Sequence, residues 1–160
     1  MTSIKLRAMR WLLALSLVAF QAHAETISGT VVNVIDGDTL LIQDAAKKKH
    51  AVRLAEIDAP ERGQAFWRES ARALKALCFK KEAKVEWIER DAKKRLIGYV
   101  HCDGKDANAE QLRRGMAWGS PKGSRPTSGL PELEAYARLR KIGLWADENA
   151  VPPWEFAAKK

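Results

Sequence analysis

Apolar and polar positions change period several times along this chain of 160 residues. Residues 26–35 are rich in Val, Ile and Thr, a strand composition. Asp36-Gly37-Asp38 signals a turn, and residues 39–42 read as the returning strand. Residues 44–50 are polar and Lys-rich, as an exposed hairpin connection would be. A third strand is predicted over 51–57. Its alternation is imperfect, which suits a strand with a site on one face, and Pro60 stops it. Residues 64–80 switch to helical spacing, with Phe66, Ala73, Leu74 and Leu77 sharing much of one stripe. Strands four and five are expected at 83–88 and 96–102, on either side of a charged turn. A short helix follows over 107–115, with Leu112 as its anchor and Gly115 as its stop. Pro, Gly and Ser make 120–131 a loop. A last helix opens at Leu130-Pro131, since proline's missing N–H costs nothing in a first turn, and Gly143 ends it. Residues 147–160 are expected to form an irregular tail.

Five strands with three helices make the fold class mainly β with α. Strands one to three form a meander, a helix intervenes, and strands four and five follow. That order fits a small closed antiparallel barrel with helices packed outside it, closure removing the exposed edges. The five-stranded oligonucleotide-binding (OB) barrel is the natural candidate. No internal repeat is present.

The first residues carry a different signal. Lys5, Arg7 and Arg10 precede an apolar run from Trp11 to Phe20, and Ala22-His23-Ala24 follows. Basic segment, short apolar segment and small-x-small site come in the order of a secretory signal peptide. The run is too short to span a bilayer of roughly 30 Å. The expectation is cleavage after residue 24, leaving 25–160 as one domain, exported to a periplasm or secreted. A retained anchor is the alternative. Losing those three cations lowers the net charge from +8 to +5, still compatible with a polyanionic partner. Cys78 and Cys102 do not have zinc-site spacing, and His50 and His101 lack partners at ligand spacing. In an oxidising compartment a Cys78–Cys102 disulfide is the simple expectation, against two buried free thiols. No interface signal is present, and a monomer is the default.

Candidate chemistry lies in two acidic groups. Asp36 and Asp38 flank Gly37 at a strand end, where residues two apart face one side. Asp58 and Glu61 surround Ala59-Pro60. If the groups converge, their oxygens suit a hard cation such as Ca²⁺ or Mg²⁺. Structural turn capping is the competing reading for each group alone. Arg53, inside a strand, either pairs with Glu56 or Asp58 or offers its planar fork to a phosphate. Arg95 opens the fifth strand beside Lys93 and Lys94. One cation, two arginines and one glutamate suffice for phosphodiester hydrolysis. No Ser or Cys nucleophile with a histidine base is visible.

The ordered motifs Val34-Ile35-Asp36-Gly37-Asp38-Thr39-Leu40, Arg53-Leu54-Ala55-Glu56-Ile57-Asp58-Ala59-Pro60-Glu61 and Arg95-Leu96-Ile97-Gly98-Tyr99-Val100 resemble the signatures of the thermonuclease (staphylococcal nuclease-like) family. So do Asp103-Gly104-Lys105-Asp106-Ala107-Asn108, Leu112-Arg113-Arg114-Gly115-Met116-Ala117 and Gly143-Leu144-Trp145. The resemblance covers residues 26–146. It implies an OB barrel with three helices and hydrolysis of DNA and RNA to 3′-phosphorylated products with one Ca²⁺. By that resemblance Asp38, Asp58 and the Ala59 carbonyl are direct ligands, and Asp36 acts through water. Glu61 is general base or water-positioning group, and Arg53 and Arg95 clamp the phosphate.

The chain departs from the family at several points. Ala59 stands where threonine occurs in relatives. The turn Asp91-Ala92-Lys93-Lys94-Arg95 lacks the family's tyrosine and glycine, with Lys93 in the tyrosine's place as a possible phosphate contact. Gly119-Ser120-Pro121-Lys122 lacks the tyrosines of the base pocket, for which Trp118 is a candidate platform or else core. Trp67, Trp87 and Trp145 read as core or core-edge, and Trp154 as a pin for the tail. Lys47, Lys48, Lys49, Lys122 and Arg125 read as solvated loop charge, or else as long-range guides for a polyanion. A non-catalytic nucleic-acid-binding module of the same fold, or an envelope interaction protein with a basic surface, are the alternatives to an enzyme.

Overall fold

In the computed structural model the described residues are 25–122 and 128–159. The expected signal segment 1–24 and Arg125 lie outside them. Among the described residues, no helix is long and apolar enough to cross a membrane.

The β-rich segments become β1 (Glu25–Val34), β2 (Thr39–Gln43), β3 (Lys49–Leu54), β4 (Ile57–Asp58), β5 (Glu82–Arg90), β6 (Leu96–Cys102), β7 (Lys105–Asp106) and β8 (Trp118–Gly119). The strand order is β3-β2-β1-β5-β6-β7. A further pairing of β3 with β6 closes β1, β2, β3, β5 and β6 into a five-stranded barrel, consistent with the OB fold. The hairpin pairs are antiparallel. The closing pair is not: Val52, Arg53 and Leu54 run parallel to Leu96, Ile97 and Gly98. This corrects the all-antiparallel expectation. The two strands are separated by a helix and a third strand, and such a crossover lets them run in the same direction.

Alternation on the strands fills the barrel. Val31, Leu40, Ile42, Val52, Leu54, Val85, Leu96 and Val100 are buried, and Leu74, Leu77 and Leu112 from the helices close its end. Each such side chain stabilises the fold by roughly 1.5–3 kcal/mol relative to exposure. Strand β3 begins two residues earlier than expected, with Lys49 and His50 inside it. His50 Nε2 lies 2.8 Å from Asp44 Oδ2 across its mouth.

Helices α1 (Trp67–Cys78), α2 (Ala107–Arg113) and α3 (Leu130–Leu139) match the expected three in place. The Asp106 carboxylate accepts from Ala109 N and so caps α2. Two details differ from expectation. First, α3 ends before Gly143, which instead opens a 3-10 turn, Gly143–Ala146. Second, the tail is not irregular throughout. Pro152 and Pro153 restrict the backbone and start a short α4 (Pro153–Ala158). A second apolar cluster of Trp118, Ala137, Leu144 and Trp145 joins α3 to the 3-10 turn, with the two indoles edge-to-face at 5.4 Å.

Cys78, the last residue of α1, is bonded to Cys102, the last residue of β6. Both half-cystines are fully buried. Cross-linking positions 24 apart restricts the unfolded chain and is worth roughly 3 kcal/mol. Reduction, or a Cys78→Ser/Cys102→Ser double variant, is expected to lower unfolding stability by about that amount. Denaturant titration with and without reductant measures it, and equal midpoints would contradict the assignment.

Candidate active site

Asp36-Gly37-Asp38 reverses the chain between β1 and β2, and its two acids do different work. Asp36 Oδ1 accepts from the Asp38 backbone N–H at 3.1 Å, the turn role proposed for such a residue. Asp38 points inward and is only 3% exposed. One of its oxygens accepts from Thr39 Oγ1 (2.8 Å) and the other from the Ala59 N–H (2.8 Å). Burial pushes the Asp38 carboxyl up to about 7. Arg53 opposes this rise, and the neighbouring Asp36 adds to it. Gly37 leaves room for the arrangement. A Cβ there would lie 1.8 Å from Ser70 Oγ and 2.8 Å from the Ala59 Cβ. Its carbonyl accepts from Gln111 Nε2 at 2.6 Å, so α2 holds the turn from behind.

The second acidic group is aimed by a break in the predicted third strand. After Leu54 the backbone turns, with Glu56 at φ 62, and resumes as the two-residue β4. Asn108, wholly buried, donates from Nδ2 to the Ala55 carbonyl and accepts from the Val100 N–H, which fixes the turn against β6. Asp58 then pairs in register with Trp118 of β8. This break brings Asp58 to Arg53, whose Nη2 donates to Asp58 Oδ1 at 2.5 Å while Nη1 donates to Asp38 Oδ1 at 3.3 Å. Of the two partners considered for Arg53, Asp58 is the observed one. Glu56 instead accepts from the Tyr99 hydroxyl. Burial works against the charge on Arg53, and Asp38 and Asp58 more than offset it, raising its pKa.

Arg95 reaches the same region from the end of the Asp91 turn, one residue before β6 and its closing pair begin at Leu96. Its Nη1 donates to Thr39 Oγ1 at 3.3 Å, and that hydroxyl in turn donates to Asp38. Its Nε donates to Asp91 Oδ2 at 2.7 Å. The other Asp91 oxygen accepts from the backbone N–H groups of Lys93 and Arg95. Partial burial works to raise the Asp91 pKa, but these Arg95 hydrogen bonds hold it below the ordinary value. The turn survives the missing glycine because Lys94 itself takes φ 62, a conformation costing a non-glycine residue about 1 kcal/mol.

Two adjoining clefts result, and Arg53 lines both. The smaller, about 300 Å³, is lined by Asp36, Asp38, Ala59, Glu61 and Trp67 among others. The larger, about 470 Å³, contains Asp58, Asp91, Arg95, Lys122 and Trp154. Glu61 is exposed at the smaller one. Gln64 holds its loop, accepting from the Glu61 N–H at 2.9 Å and donating to the Val151 carbonyl of the tail at 2.5 Å.

Two further sequence candidates differ in exposure, one buried and one on the surface. Trp118 is 4% exposed and packs on Trp145 in the second apolar cluster, so the core alternative describes it and the platform reading does not, its ring having little surface left for a base. Lys93 is exposed on the Asp91 turn, and its backbone N–H donates to Asp91 Oδ1. Asp91 and Gln64 were missed. Each sits a short fixed distance from a nominated residue, Asp91 four before Arg95 and Gln64 three after Glu61. Acceptors at such local spacings are the signal that could have found them.

Residues 51–147 match the family described as staphylococcal nuclease homologue. The chain belongs to the staphylococcal nuclease family. It is 36% identical to an uncharacterized endonuclease of Escherichia coli O157:H7, over 92% of this chain and 96% of that protein. It is also 36% identical to a micrococcal nuclease of Shigella flexneri, over 80% and 79% of the two chains. A third relative, an uncharacterized endonuclease of Haemophilus influenzae, is 37% identical over 77% of this chain and 68% of its own length. Membership makes the protein a phosphodiester hydrolase acting on nucleic acid.

Among the described residues no three His, Cys, Asp or Glu side chains group closely enough to be a metal site by themselves. The donor chemistry nevertheless fits a hard cation, because every candidate ligand offers oxygen. Buried Asp38 also needs positive charge beside it to ionise at neutral pH, and Arg53 supplies that charge here.

Gly37→Ala is expected to destabilise the protein by roughly 1–3 kcal/mol through overpacking and to lower nuclease activity in the fraction that folds. Unfolding curves and a digestion assay check this, and unchanged values in both would contradict the close approach.

Proposed function

We propose that the protein is a calcium-dependent endonuclease that cuts DNA and RNA to 3′-phosphorylated products. The observation that carries the reading is the position of Arg53, paired at once with Asp38 and Asp58 and lining both clefts. In this reading Asp38, Asp58 and the Ala59 carbonyl hold calcium, with Asp36 acting through water. When bound, the ion supplies charge neutralisation and orientation of phosphate oxygens.

The remaining steps belong to the chain's own groups. An incoming phosphodiester competes for Arg53 with two aspartates and for Arg95 with Asp91. Both guanidinium forks then face the phosphate and strengthen their hydrogen bonds as charge develops in the transition state. Glu61, exposed at the cleft and held through its backbone by Gln64, takes or orients the proton of the attacking water. Lys93, on its exposed turn, is a secondary phosphate contact.

The same proposal places the protein outside the cytoplasm as a monomer, with residues 1–24 as the signal and 25–160 as the working domain. The Cys78–Cys102 bond supports this, since structural disulfides persist in oxidising compartments.

Purified protein is expected to release acid-soluble nucleotides from DNA and RNA with Ca²⁺ and to stop in excess chelator. Persistent cleavage in chelator would overturn the calcium requirement. Arg53→Ala is expected to lower kcat by about 10²–10³, and wild-type turnover in a folded Arg53→Ala protein would remove Arg53 from the chemistry. Glu61→Gln is expected to depress kcat with an unchanged circular dichroism spectrum. Full activity in that variant would exclude Glu61.

A further inference from the structure

We propose that Trp154, on the C-terminal helix α4, is a nucleobase-stacking residue for the nucleotide whose phosphate enters the Arg53–Arg95 cleft. This rests on the nuclease reading above and names a specificity contact within it.

The larger cleft combines two kinds of wall. Arg53, Arg95 and Lys122 provide cationic donors among the carboxylates of Glu56, Asp58, Glu89 and Asp91, of which Asp58 pairs with Arg53 and Asp91 with Arg95, while Ile88, Pro121 and Trp154 provide apolar surface. A nucleotide has the matching division, an anionic phosphate joined to a flat π-face. At about 470 Å³ the cleft lies within the ordinary range for small-molecule sites. Its apolar wall is open to solvent, with Trp154 37% and Ile88 54% exposed. Trp118 and Trp145, by contrast, are 4% and 9% exposed and pack edge-to-face on each other. Trp154 thus has indole surface left over for a ligand where those two have little.

The indole is also presented on fixed backbone. Three residues before it, the Val151 carbonyl accepts from Gln64, which itself is 6% exposed. Pro152 and Pro153 follow, each with its φ locked, and Pro153 is buried. A ring held this way loses little freedom when a base stacks on it. Stacking is tolerant of base identity, which agrees with an enzyme acting on nucleic acid generally. The segment 119–122 offers no ring to the cleft, so the tail supplies the aromatic face.

Isothermal titration with a deoxynucleoside 3′,5′-bisphosphate, and with the abasic deoxyribose 3′,5′-bisphosphate, tests this. Wild-type protein is expected to bind the nucleoside form roughly ten-fold more tightly. Trp154→Ala should bring that ratio close to one, and Trp154→Phe should keep most of it. Trp154→Leu retains an apolar packing contact and lacks the ring. A tryptophan that merely pins the tail leaves the ratio unchanged in that variant, and this result would overturn the proposal. A wild-type ratio of one would overturn it as well. DNA hydrolysis is assayed on the same preparations. A base-dependent ratio without any hydrolysis removes the nuclease reading and keeps the stacking contact, whereas hydrolysis with a ratio insensitive to Trp154 removes the stacking contact alone.

Discussion

The site depends on one electrostatic constraint: a carboxylate buried at the barrel wall must have positive charge beside it. Asp38 has almost no contact with solvent, and an isolated charge there would be strongly disfavoured. Thr39, the Ala59 N–H and Arg53 meet that demand together. Because Arg53 also reaches Asp58, the compensation draws the two acidic segments to one point. Burial still holds the Asp38 carboxyl up at about 7, with Arg53 opposing the rise. In the proposed nuclease reading, a phosphate entering the cleft meets an Arg53 guanidinium already charged and partly desolvated, the condition under which such groups act most strongly on a developing transition state.

Much of the barrel was legible because alternation, turn residues and helical stripes agreed with one another. Val31, Leu40, Ile42 and Val52 occupy the interior as their spacing implied. The direction of the closing pair was not legible, since period-two patterning says which face a residue takes and nothing about which strand lies beside it. The helix in the tail was missed for a related reason. Two prolines read as a disruption, although the same residues start a helix well when they stand at its first turn.

At the site, the nominated acids and arginines were found by motif order, and the structure brings Arg53 together with both Asp38 and Asp58. Their supporting partners were harder to see. Asp91 looked like one charge in a charged turn, yet it organises the turn and holds Arg95. Lys94 shows that a missing glycine need not mean a lost geometry, because hydrogen bonds around it can hold a side-chain-bearing residue in the left-handed region. Trp118 was nominated on type alone, and whether a tryptophan faces a ligand or the core depends on the distant elements that pack over it, here α3 and the 3-10 turn.

The parallel seam between β3 and β6 has a consequence for how the chain reaches its native state. A hairpin can zip from its turn, whereas this seam joins residues more than forty positions apart and gains nothing until that long segment has been drawn together. The last barrel strand must therefore be complete before Arg53 acquires its neighbour Ile97. A nascent chain interrupted before β6 would hold the β1–β2 and β2–β3 hairpins with the barrel still open beside Arg53.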